Sequence, residues 1–320
     1  MKKTILALTI PALFATSASA VEIYSAEDGS KVEAYGRVQY NAGELKGRDN
    51  ENIGGDGEAR LGFNVLYNLN NDVDLIGKLE WQVTAESNND NKTQDIDARY
   101  AWAGFRFMDT TDLTFGKSEN PFVQLSNVTD IFNINGAASY LHGFRIDDQV
   151  RVSYADNGVD LRAAYAFADE NRFSNADGTP ENQYSLSAGY ATPFGLGLVA
   201  AYEAQNKRGG NNDLDFWGLG VNYAIDGFYV GGTYGESDND AANDVRFWEL
   251  ATSYSVDAWT MIAAYNNRKE TEGAEDTKVD EYVLGVQYKF TPKTKVYGEY
   301  VINDVTGSND RYGVGIQYNF

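Results

Sequence analysis

The side chains that most often carry out catalysis are scarce in this chain of 320 residues. His142 is the only histidine, and the chain contains no cysteine. A Ser-His-Asp triad could form only around His142, and nothing near it resembles the turn that presents a nucleophile. Without cysteine, thiol nucleophiles and cysteine-based metal sites are excluded. We therefore predict that the protein is not an enzyme.

Clusters of acidic and amide side chains are the second group that could do chemistry. They lie at residues 87–93 and 238–240 and resemble calcium-binding runs, but they lack the glycine and distal glutamate of a helical calcium loop. We interpret them as solvated loop tips. Nucleotide-binding glycine motifs and basic patches for nucleic acid are also absent. The sequence thus predicts no metal, no cofactor and no nucleic-acid partner.

The first 20 residues have the pattern of a cleaved secretory signal. A short basic start is followed by an apolar stretch, Thr4 to Thr16, and by small residues at 18–20 before Val21. The alternative is a membrane anchor, but Pro11 interrupts the apolar run, which is shorter than the ~20 residues of a spanning helix. We predict an exported protein whose mature chain is residues 21–320.

The composition restricts the fold of that mature chain. Removing the two lysines of the signal leaves 24 of the 26 basic residues against 47 acidic ones, a formal charge of −23. Disorder is disfavoured because the chain has 22 Tyr, 16 Phe and 5 Trp. After residue 20 no stretch is apolar for the length of a spanning helix. The protein is therefore either soluble or crosses a membrane as strands.

Short turns alternate with long polar stretches along the whole chain. Five hairpins each end their first strand on a tyrosine, and these tyrosines recur every 30 to 36 residues up to Tyr318. This pattern predicts an antiparallel up-and-down barrel, whereas a propeller would have blades of four strands. Sixteen strands are predicted: 31–42, 58–69, 73–83, 96–107, 112–118, 149–155, 159–167, 184–192, 196–205, 214–224, 228–236, 246–255, 258–267, 280–290, 294–301 and 310–320.

The two faces of these strands distinguish a membrane barrel from a soluble one. Leu61, Phe63 and Val65 share one face of their strand, while Arg60 and Asn64 share the other. Sixteen strands enclose a lumen too wide for side chains to fill, so the charged face should line water and the apolar face should meet lipid. The alternative is an exported soluble β-sandwich with scattered tyrosines.

The carboxyl terminus carries a further membrane signal. Val314, Ile316, Tyr318 and Phe320 alternate with Gly and amide residues, so the chain stops on an aromatic residue in a lipid-facing series. This ending resembles the terminal signature of Gram-negative outer-membrane proteins. The resemblance implies that Tyr318 and Phe320 form a signal for the barrel assembly machinery.

Five segments of the chain resemble enterobacterial and Vibrio-type general porins. They are Val21 to Tyr24, Val32 to Arg37, Ala59 to Phe63, Ala98 to Gly104 and the Phe320 terminus. The resemblance spans the mature chain. It implies a homotrimer of sixteen-stranded barrels in the outer membrane, each with a third long loop, residues 120–144, folded inward to narrow the channel.

The same resemblance implies which charges meet at the constriction. Basic residues on the wall would face acids on the loop, with Asp130 matching the family's acidic position and Ile134 standing where the family has a glutamate. Arg145 and Arg151 remain alternatives for one basic position, and Asp147 or Asp148 could supply the missing acid. Arg60 and Arg99 could also lie away from the constriction, and Asp130 could be a solvated loop acid. The wall candidates are Arg37, Arg60, Arg99, Arg145 and Arg151.

These observations predict passive diffusion of small hydrophilic solutes through a water-filled channel. The acidity of the chain predicts a preference for cations, although charges at loop tips are screened beyond ~8 Å at physiological salt. A barrel that displays loops as an adhesin or phage receptor is the main alternative, and loose loop contacts to lipopolysaccharide are a further possibility. A phosphate channel is disfavoured because residues 120–144 contain no basic residue. A sugar channel is disfavoured because most aromatic residues are predicted to face outward.

Overall fold

The computed structural model describes residues 20–45, 53–84, 96–136, 143–167, 180–207, 214–239, 243–272, 275–305 and 308–320. The predicted signal, apart from Ala20, lies outside these residues. So do His142 and the whole cluster at residues 87–93. Within the described ranges, no helix is long and apolar enough to cross a membrane.

The described residues form seventeen strands and one short helix. In chain order they are β1 (Val21–Ser25), β2 (Lys31–Gly43), β3 (Gly54–Asn70), β4 (Val73–Thr84), β5 (Ile96–Phe107), β6 (Thr111–Glu119), α1 (Val123–Ser126), β7 (Arg145–Asp156), β8 (Val159–Ala166), β9 (Pro180–Ala191), β10 (Leu196–Lys207), β11 (Leu214–Ile225), β12 (Phe228–Asn239), β13 (Asn243–Val256), β14 (Trp259–Glu272), β15 (Glu275–Thr291), β16 (Thr294–Asn303) and β17 (Arg311–Asn319).

Strands β2 to β17 form a closed ring in which every neighbouring pair is antiparallel. The ring closes where β17 pairs with β2, from Gly313 opposite Gly43 to Asn319 opposite Arg37. The prediction of a sixteen-stranded antiparallel barrel is confirmed. The short strand β1 was not predicted. It pairs with the first residues of β2, from Val21 opposite Ala34, and so lies on the same edge of β2 as β17, which pairs with the residues that follow.

The short turns have the backbone geometry that their sequences predict. Asn157 and Gly158 have φ of 48° and 83°, and Asp226 and Gly227 have φ of 46° and 83°. Positive φ at both central residues is the signature of the hairpin turn whose twist matches that of the flanking strands. We call the end of the barrel with these turns the short-turn rim. We call the opposite end of the barrel, where β10 ends at Lys207, the long-loop rim.

Side chains alternate between the outer and inner faces as the sequence predicts. Leu219 and Leu284 on the outer face are 56% and 52% exposed, whereas Gln205 and Asn266 on the inner face are nearly inaccessible. An exposed apolar outside with a polar inside is the arrangement of a barrel surrounded by lipid. The membrane-barrel prediction therefore agrees with the distribution of exposed surface.

Aromatic side chains concentrate near both rims. Trp259 lies 4.7 Å from Tyr288 near the short-turn rim, measured between ring centroids. Toward the long-loop rim, Tyr265 lies 4.6 Å from Trp248 and 4.8 Å from Tyr282. Aromatic residues favour the boundary between hydrocarbon and water. These two belts mark the membrane thickness that the barrel crosses.

Candidate functional site: the channel lumen

Five arginines that the sequence singled out lie on the inner face of strands β2, β3, β5 and β7. We call this set the basic wall: Arg37, Arg60, Arg99, Arg145 and Arg151. Arg37 and Arg60 are direct neighbours across β2 and β3. The pairing of β4 with β5 shifts between Ala98 and Tyr100, a bulge that turns both Arg99 and Tyr100 inward.

Carboxylates on the same wall hold three of these arginines in place. Glu58 forms ion pairs with Arg37 and, at 2.7 Å, with Arg60. Glu80 binds Arg99 at 2.5 Å and accepts a hydrogen bond of 2.8 Å from the Tyr35 hydroxyl. These ion pairs fix the direction in which the guanidinium groups point. An unpaired arginine side chain in water would not keep one direction.

Arg145 and Arg151, which the sequence left as alternatives, both face the lumen. Arg145 lies over the Tyr100 ring at 4.8 Å from its centroid, and Lys78 lies 4.3 Å from that centroid. A cation near an aromatic face is stabilised by the ring quadrupole. Arg151 alternates in β7 with Val152, which is exposed on the outer face. Both arginines are therefore available to the channel.

The segment 120–136 enters the barrel at the end of β6 and packs against the inner face on the other side. Its single helical turn, α1, has four buried residues. Asn120 starts this turn: its side-chain oxygen accepts the amide hydrogen of Phe122 at 3.0 Å, and its backbone oxygen accepts that of Val123. Phe122, Leu125 and Val128 are each at most 1% exposed, so apolar contact fixes the segment.

The surface under this segment departs from the expected polar inner face. We call it the docking wall, and it consists of Gly189, Val199, Ala201, Phe216, Gly218, Gly220, Gly231 and Phe247. A Cβ atom on Gly218 would come within 2.3 Å of Leu125, and one on Gly231 within 2.4 Å of the Val128 carbonyl oxygen. The glycines therefore make room for the segment, as glycine does where backbone approaches closely.

Buried glutamates on the wall bind the segment at two points between β9 and β13. Glu203 accepts a hydrogen bond of 2.5 Å from the Asn120 side chain, and Glu249 accepts one of 2.6 Å from the Thr129 hydroxyl. Both glutamates are at most 2% exposed. Their wall neighbours Ser185 and Thr233 donate to the same carboxylates. The buried charges are thus hydrogen-bonded, as their burial requires.

Glu299 on β16 binds the far end of the segment. Its carboxylate accepts the backbone N–H groups of Asn133, Ile134 and Asn135 at 2.6, 3.2 and 2.9 Å, together with both asparagine side chains. Lys295 also donates to the Asn133 side chain at 2.5 Å. Successive backbone N–H groups converge on one carboxylate, an arrangement that favours an anion. The segment therefore crosses from β6 to β16.

The acidic candidates occupy different places. Asp130 lies in the segment directly after Thr129 and is half-buried. Asp147 and Asp148 lie within β7 rather than in a loop, because β7 begins at Arg145, four residues earlier than predicted. An irregularity in the pairing with β6 accommodates them. Asp147 lies 3.5 Å from Lys117, and Asp148 is exposed.

Comparison with known protein families agrees with the closed barrel and its polar, charged interior. A sequence model of the Gram-negative porin family matches residues 7–308, which is nearly the whole chain. This chain is a Gram-negative porin. It is an outer-membrane general diffusion porin that forms a water-filled channel for small hydrophilic solutes.

Individual relatives cover this porin from end to end. Outer membrane porin F of Escherichia coli strain K12 is 28% identical over 375 aligned residues, with 100% of both chains covered. Outer membrane protein U of Vibrio parahaemolyticus is 27% identical, covering 98% of this chain and 93% of that one. Among solved structures, the trimer form of in-vitro-folded OmpT of Vibrio cholerae has a TM-score of 0.72 at 20% identity, covering 91% and 99%.

Sequence reasoning missed the residues that position the predicted ones. Strand alternation alone indicates that Glu203, Glu249 and Glu299 point inward. It does not indicate which inner-face carboxylates meet the loop, because that depends on where the loop crosses. The glycines of β11 and β12 were a usable signal, since glycine weakens a strand interior unless another chain segment approaches there.

Proposed function

We propose that the segment 120–136 of this porin narrows the channel and that solutes pass between it and the basic wall. The observation that carries the proposal is the set of hydrogen bonds to Glu203, Glu249 and Glu299, which lie on the inner faces of three well-separated strands. A segment held at these points occupies part of the cross-section. The free cross-section then borders Arg60, Arg99 and their neighbours.

Charge around this passage would orient and select solutes. The basic wall supplies fixed positive charge on one side, and Asp130 supplies negative charge on the segment. Opposed fixed charges in a narrow, partly dehydrated passage create a transverse field. The formal charge of −21 on the whole chain favours cations at both mouths. We therefore expect a modest preference for cations over anions.

The assembly and biogenesis of the porin form a second part of the proposal. The Vibrio cholerae relative was solved in a trimer form, and the same barrel shape supports a homotrimer for this chain. Residues 1–20 would be removed on export. Tyr318, which is 46% exposed, and Phe320 would form the assembly signal, and the long loops would contact lipopolysaccharide.

Planar-bilayer recording of the purified protein tests the selectivity and the trimer. We expect large open steps that close in groups of three, and under a salt gradient a reversal potential of the sign for cation preference. A reversal potential of the opposite sign would overturn the selectivity. Steps that never group in threes would count against the trimer, and folded protein without conductance would favour a barrel that only displays loops.

A further inference from the structure

A cluster of five cations lies on the inner face near the short-turn rim. These residues line one side of a cavity of about 360 Å³, and only two of them belong to the residues that the sequence singled out. The cluster consists of Arg37, Arg60, Lys289, Lys293 and Lys295. Short turns of such barrels face the periplasm, so this cavity lies at the periplasmic mouth of the channel.

The strand register brings the cations into two adjacent rows. Lys289 on β15 lies directly opposite Lys295 on β16. The next row runs across four residues. The backbone oxygen of Lys293 accepts the amide hydrogen of Asn319. Asn319 in turn lies opposite Arg37, which lies opposite Arg60. Like charges directly opposite each other destabilise a sheet. A bound counter-anion would remove that repulsion.

Few carboxylates are available to neutralise the cluster. Glu58 is shared between Arg37 and Arg60, and Glu80, which also lines the cavity, is held by Arg99. Among the residues that the structure describes, the side chains of Lys289 and Lys293 form no ion pair. Even if the terminal carboxylate of Phe320 is counted with Glu58, five positive charges meet two negative ones.

Two observations show that the polar groups of this cavity are incompletely satisfied by the protein. The Nε atom of Arg37 is buried and has no hydrogen-bond partner. Lys295 donates from its Nζ to the Asn133 side chain, a neutral group that itself donates to Glu299. This lysine forms no direct ion pair within the part of the chain that the structure describes. Lysine and arginine donors that outnumber the carboxylates beside them are a typical environment of a phosphate group, which offers several acceptor oxygens at once.

We propose that this cavity is a weak binding site for small solutes that carry phosphate, at the periplasmic mouth of an otherwise cation-preferring channel. Lys289 and Lys293 are the residues whose charge the protein leaves free for the solute. Arg37 and Lys295 contribute donors from the neighbouring strands. The site shares its two arginines with the basic wall, and Lys295 contacts the segment 120–136. Binding can nevertheless be titrated in protein that is not conducting, so failure of this site and failure of the proposed function are distinguishable.

The test is ³¹P NMR of inorganic pyrophosphate titrated with the folded protein in detergent, at about 0.1 M salt, where screening extends over about 10 Å. The variant carries Lys289→Gln and Lys293→Gln, which remove charge without touching the loop. The matched control carries Arg246→Gln and Lys278→Gln, which remove two charges from exposed positions near the long-loop rim. Bilayer recording with pyrophosphate added to one side provides the second readout.

We expect line broadening with the native protein and the control, and binding weakened by about tenfold or more in the variant. In bilayers, pyrophosphate should reduce the current more strongly from the short-turn side than from the long-loop side. Equal binding by variant and control would overturn the proposal, as would the absence of broadening with folded native protein. An inactive channel that still broadens the signal would contradict the conduction account and leave this site supported.

Discussion

The two sides of the lumen are built on different physical principles. The docking wall buries apolar groups and glycines under the segment 120–136, and Phe247 there is only 1% exposed. The basic wall instead leaves its charges partly open to water; the side chains of Arg37 and Arg60 are 24% and 20% exposed. The docking wall holds the segment 120–136 by packing, whereas the basic wall presents charged side chains that ion pairs keep in place.

We infer that the docking wall determines the shape of the channel and that the basic wall determines its selectivity. Loss of packing on the docking wall should release the segment and enlarge the channel. Loss of the Arg60 charge should change which ions pass while the shape is kept, because backbone pairing of the strands holds the wall and Glu58 keeps its ion pair with Arg37. Substitutions on each wall test that separation of roles.

Phe122→Ala should have the largest effect. The ring is 1% exposed and lies 6.4 Å from the Phe216 ring, and truncating a buried phenylalanine costs about 3–5 kcal/mol. We expect faster amide hydrogen exchange in residues 122–130 and a larger single-channel conductance. Phe194→Ala, at an exposed turn position, is the matched control. Unchanged exchange in the Phe122 variant would show that packing does not hold the segment.

Glu299→Ala tests the charged attachment of the same segment. The substitution leaves three backbone N–H groups of residues 133–135 without their acceptor, and each buried unpaired group costs about 1–3 kcal/mol. We expect more frequent current fluctuations and a higher mean conductance. Glu299→Gln keeps an acceptor oxygen, so its mean conductance should lie between those of the native protein and the alanine variant. Quiet, native-like currents from the alanine variant would contradict the role of this carboxylate.

Two adjacent glycines provide a comparison within one strand. Gly231→Ala places a methyl group within 2.4 Å of the Val128 carbonyl oxygen, whereas Gly232→Ala meets nothing closer than 3.5 Å. Overpacking costs about 1–3 kcal/mol, so only Gly231→Ala should speed hydrogen exchange in residues 122–130. The two variants have the same composition, which removes any general effect of alanine in a strand. Equal exchange rates in the two variants would show that the space left by Gly231 does not position the segment.

Arg60→Gln tests the basic wall and should have the smallest effect on structure. We expect a reversal potential shifted toward stronger cation preference and a conductance changed by less than about twofold, because one fixed charge is lost and the passage keeps its width. Arg246→Gln, 68% exposed near the long-loop rim, is the control and should leave the reversal potential unchanged. A shift of equal size in both variants would place selectivity in the net charge instead of the wall.

The barrel was predictable from sequence because its signals are local. The strand number follows from residue alternation, from turn sequences such as Asn157-Gly158 and from aromatic strand ends. None of these signals requires knowledge of distant contacts. Strand β1 was missed because five residues before a turn show too little alternation. The start of β7 was misplaced because a bulge near Asp147 and Asp148 breaks the two-residue period.

The candidate site was predictable only in part, for a physical reason. Alternation correctly turned Arg60 inward, since that depends on the strand alone, whereas Arg99 faces inward together with Tyr100 because of the bulge between β4 and β5. The attachments of the loop depend on pairs more than 80 residues apart, such as Asn120 with Glu203 and Thr129 with Glu249. No local pattern encodes such a pairing. The apolar docking wall was likewise unexpected, because an inner face was assumed to meet water.

We propose that solutes pass between the segment 120–136 and the basic wall, and a single introduced cysteine tests this directly. Because the chain has no cysteine, Asp130→Cys introduces a single thiol on the segment, and a bulky thiol-reactive reagent can be added during bilayer recording. The account predicts stepwise loss of current on modification of Asp130→Cys, while Phe194→Cys at the exposed turn keeps its full current. Complete modification of Asp130→Cys, verified by mass, with undiminished current would contradict it.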